Sequence, residues 1–303
     1  MGTQGALDVR GLRMRYGAVD VLHDVSFQAR SGEVLALLGP NGAGKTTTIE
    51  ILEGFRVRSA GQVSVLGVDP AHGNEAWRAR LGVVLQSWRD HGKWRVQELL
   101  AHLGRYYAPY STSAVRRPWD AAELVELVGL TDHAHHKIRT LSGGQRRRLD
   151  VAIGIVGRPD LLFLDEPTTG FDPAARYAFH TLVRRLATDL QTTILLTTHD
   201  LDEASKLADR ILVLSAGRVV ASGTTTELTR QIAAQDEVRW RLDGRQYVEV
   251  TAESTTFVRE LFARHGEAVQ ELEVRRARLE DAYLALVAAD VAAQNEADLE
   301  VTR

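Results

Sequence analysis

The stretch Gly39-Pro-Asn-Gly-Ala-Gly-Lys-Thr-Thr47 decides how the rest of the sequence is interpreted. It contains Gly-x-x-x-x-Gly-Lys-Thr complete, between an apolar run (33–38) that predicts a short buried strand and a segment (47–52) that predicts the first turns of a helix. Its glycines permit backbone angles closed to other residues, so N–H groups can point inward at phosphate oxygens. The motif predicts that Lys45 reaches the β- and γ-phosphates of a nucleoside triphosphate and that Thr46 ligates Mg²⁺. The candidate nucleotide-binding residues of the loop are Gly39, Pro40, Asn41, Gly42, Ala43, Gly44, Lys45, Thr46 and Thr47.

Length and composition narrow the class of protein. With 303 residues, a principal domain plus a smaller appendage is expected. The formal charge of −3 gives no reason to expect a nucleic-acid partner, and the absence of cysteine excludes disulfides and thiolate metal sites. The start region is broken by charges, so no signal peptide is apparent. The longest apolar runs fall far short of the roughly 18 residues that a membrane span needs, so the chain is expected to meet membranes only at their surface.

The order of strand and helix signals predicts an α/β fold. Residues 7–29 predict a small antiparallel sheet, and strands that alternate with helices predict a core with a mixed, largely parallel sheet. Residues 87–157 show helical periodicity and predict a helical insertion. From residue 227 onward, exposed strands and two helices predict a small α/β appendage. The expected division is therefore 1–226 for the nucleotide-binding domain and 227–303 for the accessory domain.

Four polar residues directly follow predicted strands, at the edge of the sheet where ligands bind in parallel α/β proteins. They are Gln86, Asp165, Glu166 and His199. Because side chains alternate along a strand, Asp165 and Glu166 are expected to point to different sides. Asp165 can then hold Mg²⁺ through water beside Thr46, while Glu166 polarises a water for attack on the γ-phosphate. The alternative is that the two carboxylates only cap the next helix.

A second anion site is predicted at Leu141-Ser-Gly-Gly-Gln145, where a serine stands at a helix cap beside free glycine N–H groups. Since the chain already has its phosphate loop, this site makes sense if it serves the γ-phosphate of a neighbouring subunit. Tyr16 stands where an adenine could stack, or it is an ordinary strand-end tyrosine. The histidines of Asp132–Lys137 lack a helical i, i+4 pair, which favours a surface turn over a metal site.

Over roughly Leu7 to Gly223 the sequence resembles the ATP-binding-cassette (ABC) family. The resemblance rests on four motifs in this order: GPNGAGKTT, LSGGQ, LLFLDEP and the histidine of TTHD. The resemblance implies a P-loop NTPase core in which the helical insertion carries the LSGGQ signature. It also implies roles for individual residues: Tyr16 stacks on adenine, Gln86 senses Mg²⁺ and the membrane partner, and His199 contacts the γ-phosphate. The signature residues Ser142, Gly143, Gly144 and Gln145 reach across a dimer, and Asp172 lies in the loop that links the two sites. Phe171 stands where the family usually has leucine.

Within the family, the chain resembles the ATPase subunits of daunorubicin-resistance-type exporters. The resemblance rests on the single cassette, on Gly67–Pro70 and on Arg278-Leu-Glu-Asp-Ala-Tyr-Leu. Arg278, Ala282 and Tyr283 depart from the usual sequence of those subunits. The resemblance implies an ATPase that dimerises head to tail on two Mg-ATP at the cytoplasmic face and drives separate integral membrane permease subunits. Four aromatic residues are expected near the groove that faces them, or in core packing: Trp88, Trp94, Tyr106 and Tyr107. The alternatives are a non-transport ABC ATPase, which usually carries two cassettes or a long coiled-coil insertion, and a regulatory nucleotide-binding module.

Overall fold

A computed structural model describes residues 5–84, 91–232 and 236–275, together with Tyr283. The strands are β1 (Leu7–Tyr16), β2 (Val19–Ala29), β3 (Val34–Leu38), β4 (Ala60–Val65), β5 (Leu81–Val84), β6 (Leu161–Asp165), β7 (Thr193–Thr198), β8 (Arg210–Ser215), β9 (Arg218–Gly223), β10 (Asp236–Leu242), β11 (Arg245–Thr251) and β12 (Gln270–Arg275). The helices are α1 (Lys45–Leu52), α2 (Glu75–Arg78), α3 (Val96–Gly104), α4 (Ala121–Leu127), α5 (Gly143–Ile155), α6 (Pro173–Thr188), α7 (Leu201–Leu207), α8 (Thr225–Ile232) and α9 (Ser254–His265).

The centre of the fold is a six-stranded sheet in the order β5-β6-β7-β3-β8-β9. The pairs β5/β6, β6/β7, β7/β3 and β3/β8 are parallel. Every residue of β3 and β7 is buried, which is the pattern of strands covered on both faces. Parallel strands present their carboxyl ends at one edge, so the segments that follow β3, β6 and β7 meet there. The α/β fold predicted from the sequence is confirmed.

Three strands from the N-terminal part of the sequence form an antiparallel sheet in the order β2-β1-β4. The pairing of β1 with β2 runs from Leu7–Ala29 to Tyr16–Val19, as the alternating pattern predicts. Strand β4 pairs with β1 on the other side. This sheet contributes Tyr16 at the end of β1.

The segment between β5 and β6 is helical in its described part, and it contains α3, α4 and α5. The sequence predicts one helix from Val96 to Tyr107, whereas α3 ends at Gly104 and a 3₁₀ segment, Arg105–Tyr110, follows it. Pro109 explains the early end, because a proline lacks the N–H that an α-helix needs and its ring clashes with the carbonyl four residues earlier. Residues 85–90 lie outside the described part, and these include Gln86 and Trp88.

The chain divides into two compact units, Met1–Val219 and Val220–Arg303. In the second unit, β10 is the central strand of a sheet with the order β11-β10-β12. Its small core contains Val238, Trp240, Leu261 and Val269. The accessory domain that we place at residues 227–303 remains a prediction. The helix predicted at Leu279–Ala289 lies outside the described residues apart from Tyr283.

Candidate nucleotide site

The loop Gly39–Gly44 connects β3 to α1, and its glycines are required by its geometry. Gly44, which precedes the first residue of α1, has φ of 100°, a conformation that side chains rarely allow. At Gly39 a Cβ atom would lie 2.2 Å from the carbonyl oxygen of Leu214, so the neighbouring backbone leaves no room for a side chain. The loop therefore brings bare backbone to the start of a helix, where N–H groups can bind an anion.

Lys45 is a buried cation held by the loop itself. Its ammonium donates to the carbonyl oxygens of Gly39 and Pro40, at 2.7 and 3.1 Å. It also lies 3.5 Å from Oε1 of Glu166, and only 6% of the lysine side chain is exposed. A buried charge costs free energy unless charged or polar groups surround it. The carbonyls and the carboxylate supply them in this structure.

Asp165 and Glu166 do point to different partners, but strand alternation is not the reason. Asp165 is the last residue of β6, and Glu166 has φ of 42°, so the chain leaves the strand between the two carboxylates. The N–H of Glu166 donates to the backbone oxygen and the hydroxyl of Thr197, which holds this strained conformation in place. Asp165 accepts hydrogen bonds from the hydroxyls of Thr197 and Thr46, the latter at 3.5 Å.

His199 follows β7 and completes the cluster. Its Nδ1 lies 3.3 Å from Oε1 of Glu166, the same oxygen that faces Lys45. The histidine side chain is 52% exposed, whereas that of Glu166 is 15% exposed. Three segments that follow three neighbouring strands therefore bring Lys45, Glu166 and His199 into contact at the carboxyl edge of the sheet, as the sequence predicts for Glu166 and His199.

Two charged residues near this cluster were missed by the sequence analysis. Glu203 is a buried residue of α7, and its carboxyl accepts hydrogen bonds from Thr168 and Thr198, which lie just after Glu166 and just before His199. Burial raises the pKa of Glu203. The sequence carries no signal for this role, because a helix of seven residues is too short for its periodicity to show which face is buried.

Arg147 is the second charged residue that the sequence analysis missed. Its Nε donates to the carbonyl oxygen of Pro167 at 2.9 Å, and it thereby connects α5, which begins in the LSGGQ motif, to the residue after Glu166. Burial lowers the pKa of the Arg147 guanidinium, and burial raises the pKa of the neighbouring Asp150 carboxyl to about 6. The buried arginine therefore fixes the position of the loop that carries Glu166.

The LSGGQ motif forms the start of α5 as predicted. Ser142 is the cap residue: its hydroxyl accepts from the N–H of Gln145, and the side chain of Gln145 accepts from the N–H of Ser142. The amide of Gln145 also lies 2.9 Å from Nε2 of His133, so one histidine of the predicted surface turn supports the motif. No metal-binding cluster of three or more ligands occurs among the described residues.

A cavity of ≈ 670 Å³ joins the start of α5 to the loop before α6. Asp172 caps α6 by accepting from the N–H of Ala175 at 2.8 Å. Phe171 packs edge to face on the buried Phe179, with ring centroids 5.8 Å apart. No residue of the phosphate loop lines this cavity. The LSGGQ cavity and the phosphate loop of the same chain are therefore separate.

The predicted aromatic residues have different environments. Tyr16 is 37% exposed, and the guanidinium of Arg56 lies 5.0 Å from its ring centroid. Tyr106 and Tyr107 line a cavity of ≈ 370 Å³ together with the exposed Phe55 and the buried Glu53. Trp94 is not in this lining and packs on His102 instead.

The parallel sheet has a glycine-rich loop between β3 and α1, and it has the carboxylates Asp165 and Glu166 at the end of β6, which is separated from β3 by β7. This combination defines a P-loop nucleoside triphosphatase. Comparison with known proteins narrows this class. The model of the ABC transporter family matches residues 22–169. The Nod factor export ATP-binding protein I of Ralstonia nicotianae is 40% identical over 89% of this chain and 80% of its own length. The daunorubicin/doxorubicin resistance ATP-binding protein DrrA of Streptomyces peucetius is 42% identical over 80% of this chain and 72% of its own length.

Solved structures agree in fold. The ATP-binding subunit of an ABC transporter is 29% identical, with a TM-score of 0.63 over 75% of this chain and 92% of that one. The ADP conformation of an ATP-binding cassette of an ABC transporter, 23% identical, gives a TM-score of 0.65 over 74% of this chain and 93% of that one. The chain belongs to the ABC transporter family, and it is an ATP-binding, ATP-hydrolysing subunit. No helix in the described part of the chain combines the length and apolar character of a membrane span.

Proposed function

We propose that this chain is the ATPase subunit of an export transporter and that two copies close head to tail on two Mg-ATP. The observation that carries the proposal is the contact of Glu166 with both Lys45 and His199 at the carboxyl edge of the sheet. An aligned cation, carboxylate and imidazole beside an anion-binding loop is an arrangement suited to phosphoryl transfer to water. The relatives named above are ATP-binding proteins of export and drug resistance, which supports the export direction.

The residues of the site have separable roles in this proposal. The loop Gly39–Thr47 binds the phosphates, and Lys45 exchanges its carbonyl and carboxylate partners for the β- and γ-phosphate oxygens. Glu166, released from Lys45, accepts a proton from the attacking water as the bond to the γ-phosphate breaks, giving ADP and phosphate. His199 donates to a γ-phosphate oxygen from its exposed position. Tyr16 stacks on the adenine.

The donor set beside the loop fits Mg²⁺. The Thr46 hydroxyl and the Asp165 carboxylate lie 3.5 Å apart, and hard divalent cations take oxygen ligands. Thr46, Asp165 and Gln86 would hold the ion, which when bound neutralises charge on the β- and γ-phosphates. The hydroxyl of Thr197 keeps the second Asp165 oxygen in place.

The residues Ser142–Gln145 and Asp172 serve the ATP of the partner copy. They surround an open cavity that no phosphate-loop residue of the same chain lines. Gly143 and Gly144 are the first two residues of the 13-residue α5, and N–H groups at the start of a helix stabilise an anion.

A complementation experiment tests this shared site. A Lys45→Ala chain and a Gly144→Asp chain are each expected to be inactive alone. When they are mixed, the heterodimer contains one complete site, formed by Lys45 of one chain and the LSGGQ motif of the other, and ATPase activity returns. If mixing restores no activity although each chain is folded, the shared site is wrong.

Membrane permease subunits complete the proposed transporter, and they place this chain at the cytoplasmic face of the membrane. The cavity lined by Tyr106 and Tyr107 also contains Phe55 and Leu103 in its lining. It is apolar and open, as a docking site for a helix is. Co-expression with a candidate permease subunit should bring this chain to the membrane fraction, and Tyr106→Ser should reduce its recovery there. Equal membrane recovery with and without that protein would contradict this assignment.

A further inference from the structure

The sheet of the second unit has an open edge at β11. All seven residues of β11 pair with β10 in one register, from Asp236–Thr251 to Leu242–Arg245, without a bulge. Among the described residues, β10 is the sole partner of β11. Tyr247, Val248 and Val250 are 41, 54 and 53% exposed. Within the described part of the chain, no strand pairs with the outer row of backbone N–H and carbonyl groups of β11.

Proteins usually protect such an edge with charged side chains, above all lysine, or with a proline, a bulge or a very short strand. The sequence of β11, Arg-Gln-Tyr-Val-Glu-Val-Thr, contains neither lysine nor proline, and its ladder is regular. Three of its six exposed residues, Tyr247, Val248 and Val250, are of the β-branched and aromatic types that favour strands, and the other three are Arg245, Gln246 and Glu249. The edge thus has the properties of a pairing surface.

The charges of β11 are complementary to those of a second β11. In an antiparallel pair with Tyr247 opposite Tyr247, Arg245 of each copy lies opposite Glu249 of the other. Opposite charges in directly facing positions stabilise a strand pair, and like charges destabilise it. A register centred on Val248 loses both charge pairs, and one centred on Glu249 brings two carboxylates together. The ion pairs found among the described residues of this unit involve other residues, namely Glu237–Arg239, Arg241–Glu271 and Glu260–Arg264.

The aromatic packing favours the same register. Tyr247 stacks on Trp240 with an interplanar angle of 15° and ring centroids 5.6 Å apart. Trp240 in turn packs on Phe257 of α9. Placing a second Tyr247 opposite the first extends this row of rings across the new strand pair and buries the exposed part of each tyrosine.

We propose that β11 pairs antiparallel with β11 of a second copy of this chain, with Tyr247 opposite Tyr247, so that two three-stranded sheets become one sheet of six strands. This contact is a second dimer interface, additional to the ATP-dependent one. It uses no residue of the nucleotide site and therefore forms without nucleotide.

The absence of native cysteine makes a disulfide test direct. In the full chain without nucleotide, Tyr247→Cys should form a covalent dimer under mild oxidation, because the two residues face each other. Val248→Cys is the matched control: in this register it faces the opposite side of the sheet and lies offset from its own copy, beyond the roughly 7 Å between Cα atoms that a disulfide spans. Equal cross-linking of the two variants, or none in Tyr247→Cys, would overturn the proposal.

Charge exchange provides an independent measurement. Arg245→Glu and Glu249→Arg should each lower the dimer fraction of the nucleotide-free full chain in sedimentation experiments, since each places like charges opposite one another. The double variant Arg245→Glu/Glu249→Arg restores both pairs and should recover the dimer. A wild-type chain that stays monomeric, or a double variant no better than the single ones, would overturn the proposed pairing.

Discussion

Lys45 and Glu166 form a contact between the phosphate loop and the end of β6, with the lysine ammonium 3.5 Å from Oε1 of the glutamate. The cation that should bind the γ-phosphate is therefore in contact with the carboxylate that should activate water. Arrival of a phosphate would compete for the lysine and free the carboxylate. Binding and catalysis thus depend on the same pair of side chains, and the predictions below separate them.

Lys45→Ala should weaken ATP binding by about 10- to 100-fold, because a charge-assisted hydrogen bond to the phosphates is lost. Isothermal titration calorimetry with ATP measures the affinity. Lys93→Ala, which removes an exposed lysine, is the control and should leave affinity unchanged. An unchanged affinity in Lys45→Ala would remove this lysine from the phosphate site.

His199→Ala should leave ATP affinity close to that of the wild type and lower turnover by about 10²-fold or more, since its contact is made with the reacting phosphate. Parallel measurement of ATP affinity and steady-state kcat checks this division. If His199→Ala loses as much affinity as Lys45→Ala, the two residues do not have the separate roles proposed for them.

Arg147→Met should lower kcat while ATP affinity stays within a few-fold of the wild type. The reason is that Arg147 donates to the carbonyl of Pro167, the residue after Glu166, and holds the catalytic loop from α5. Arg148→Met is the matched control, since Arg148 lies on the same helix and lines the same cavity but donates to the carbonyl of Gly129 and not to that of Pro167. If both variants lose the same activity, the effect belongs to α5 as a whole and not to the contact with Pro167.

Glu53 should make stability depend on pH. Burial, with the charges of Asp165 and Glu50, raises its pKa from 4.5 to about 8. Between these values the folded state keeps a proton that the unfolded state releases, so the free energy of unfolding should fall with rising pH, by about 1.4 kcal/mol per pH unit. Below pH 4.5 the contribution is fully present, and it is lost as the pH rises through the folded pKa.

Urea unfolding across this pH range, with Glu53→Gln beside the wild type, measures the effect. Glu53→Gln should flatten the pH dependence and become the more stable protein toward the upper end of the range. Glu126→Gln, at an exposed position, is the control and should follow the wild type. A parallel pH dependence in Glu53→Gln and the wild type would show that the glutamate ionises freely.

The sequence predicts those parts of the site that depend on local pattern. The glycine spacing between Gly39 and Gly44 requires a strand, a tight loop and a helix, and the structure has all three. The meeting of Glu166 and His199 follows from the parallel sheet, because residues after adjacent parallel strands share one edge.

Other features depend on packing between distant segments and could not be read from local pattern. Arg147 is the middle residue of three consecutive arginines, and only the tertiary structure decides which one is buried. Glu203 lies on a helix of seven residues, too short for periodicity to distinguish its buried face. The bend at Glu166 was missed because it is held by hydrogen bonds to Thr197 on another strand.

Size-exclusion chromatography of Glu166→Gln with Mg-ATP, compared with ADP, measures whether unhydrolysed ATP holds two copies of this chain together. Removing the carboxylate that accepts the proton should lower turnover by roughly 10² to 10⁴ while leaving ATP bound. The unhydrolysed ATP should hold the LSGGQ motif of one copy on the phosphate loop of the other. Glu249→Arg is included in this chain to weaken the proposed β11 contact, so that the two interfaces are distinguished.

We expect this double variant to elute as a dimer with Mg-ATP and as a monomer with ADP. A Glu166→Gln chain that hydrolyses ATP at the wild-type rate, or an inactive one that binds ATP and remains a monomer, would contradict it.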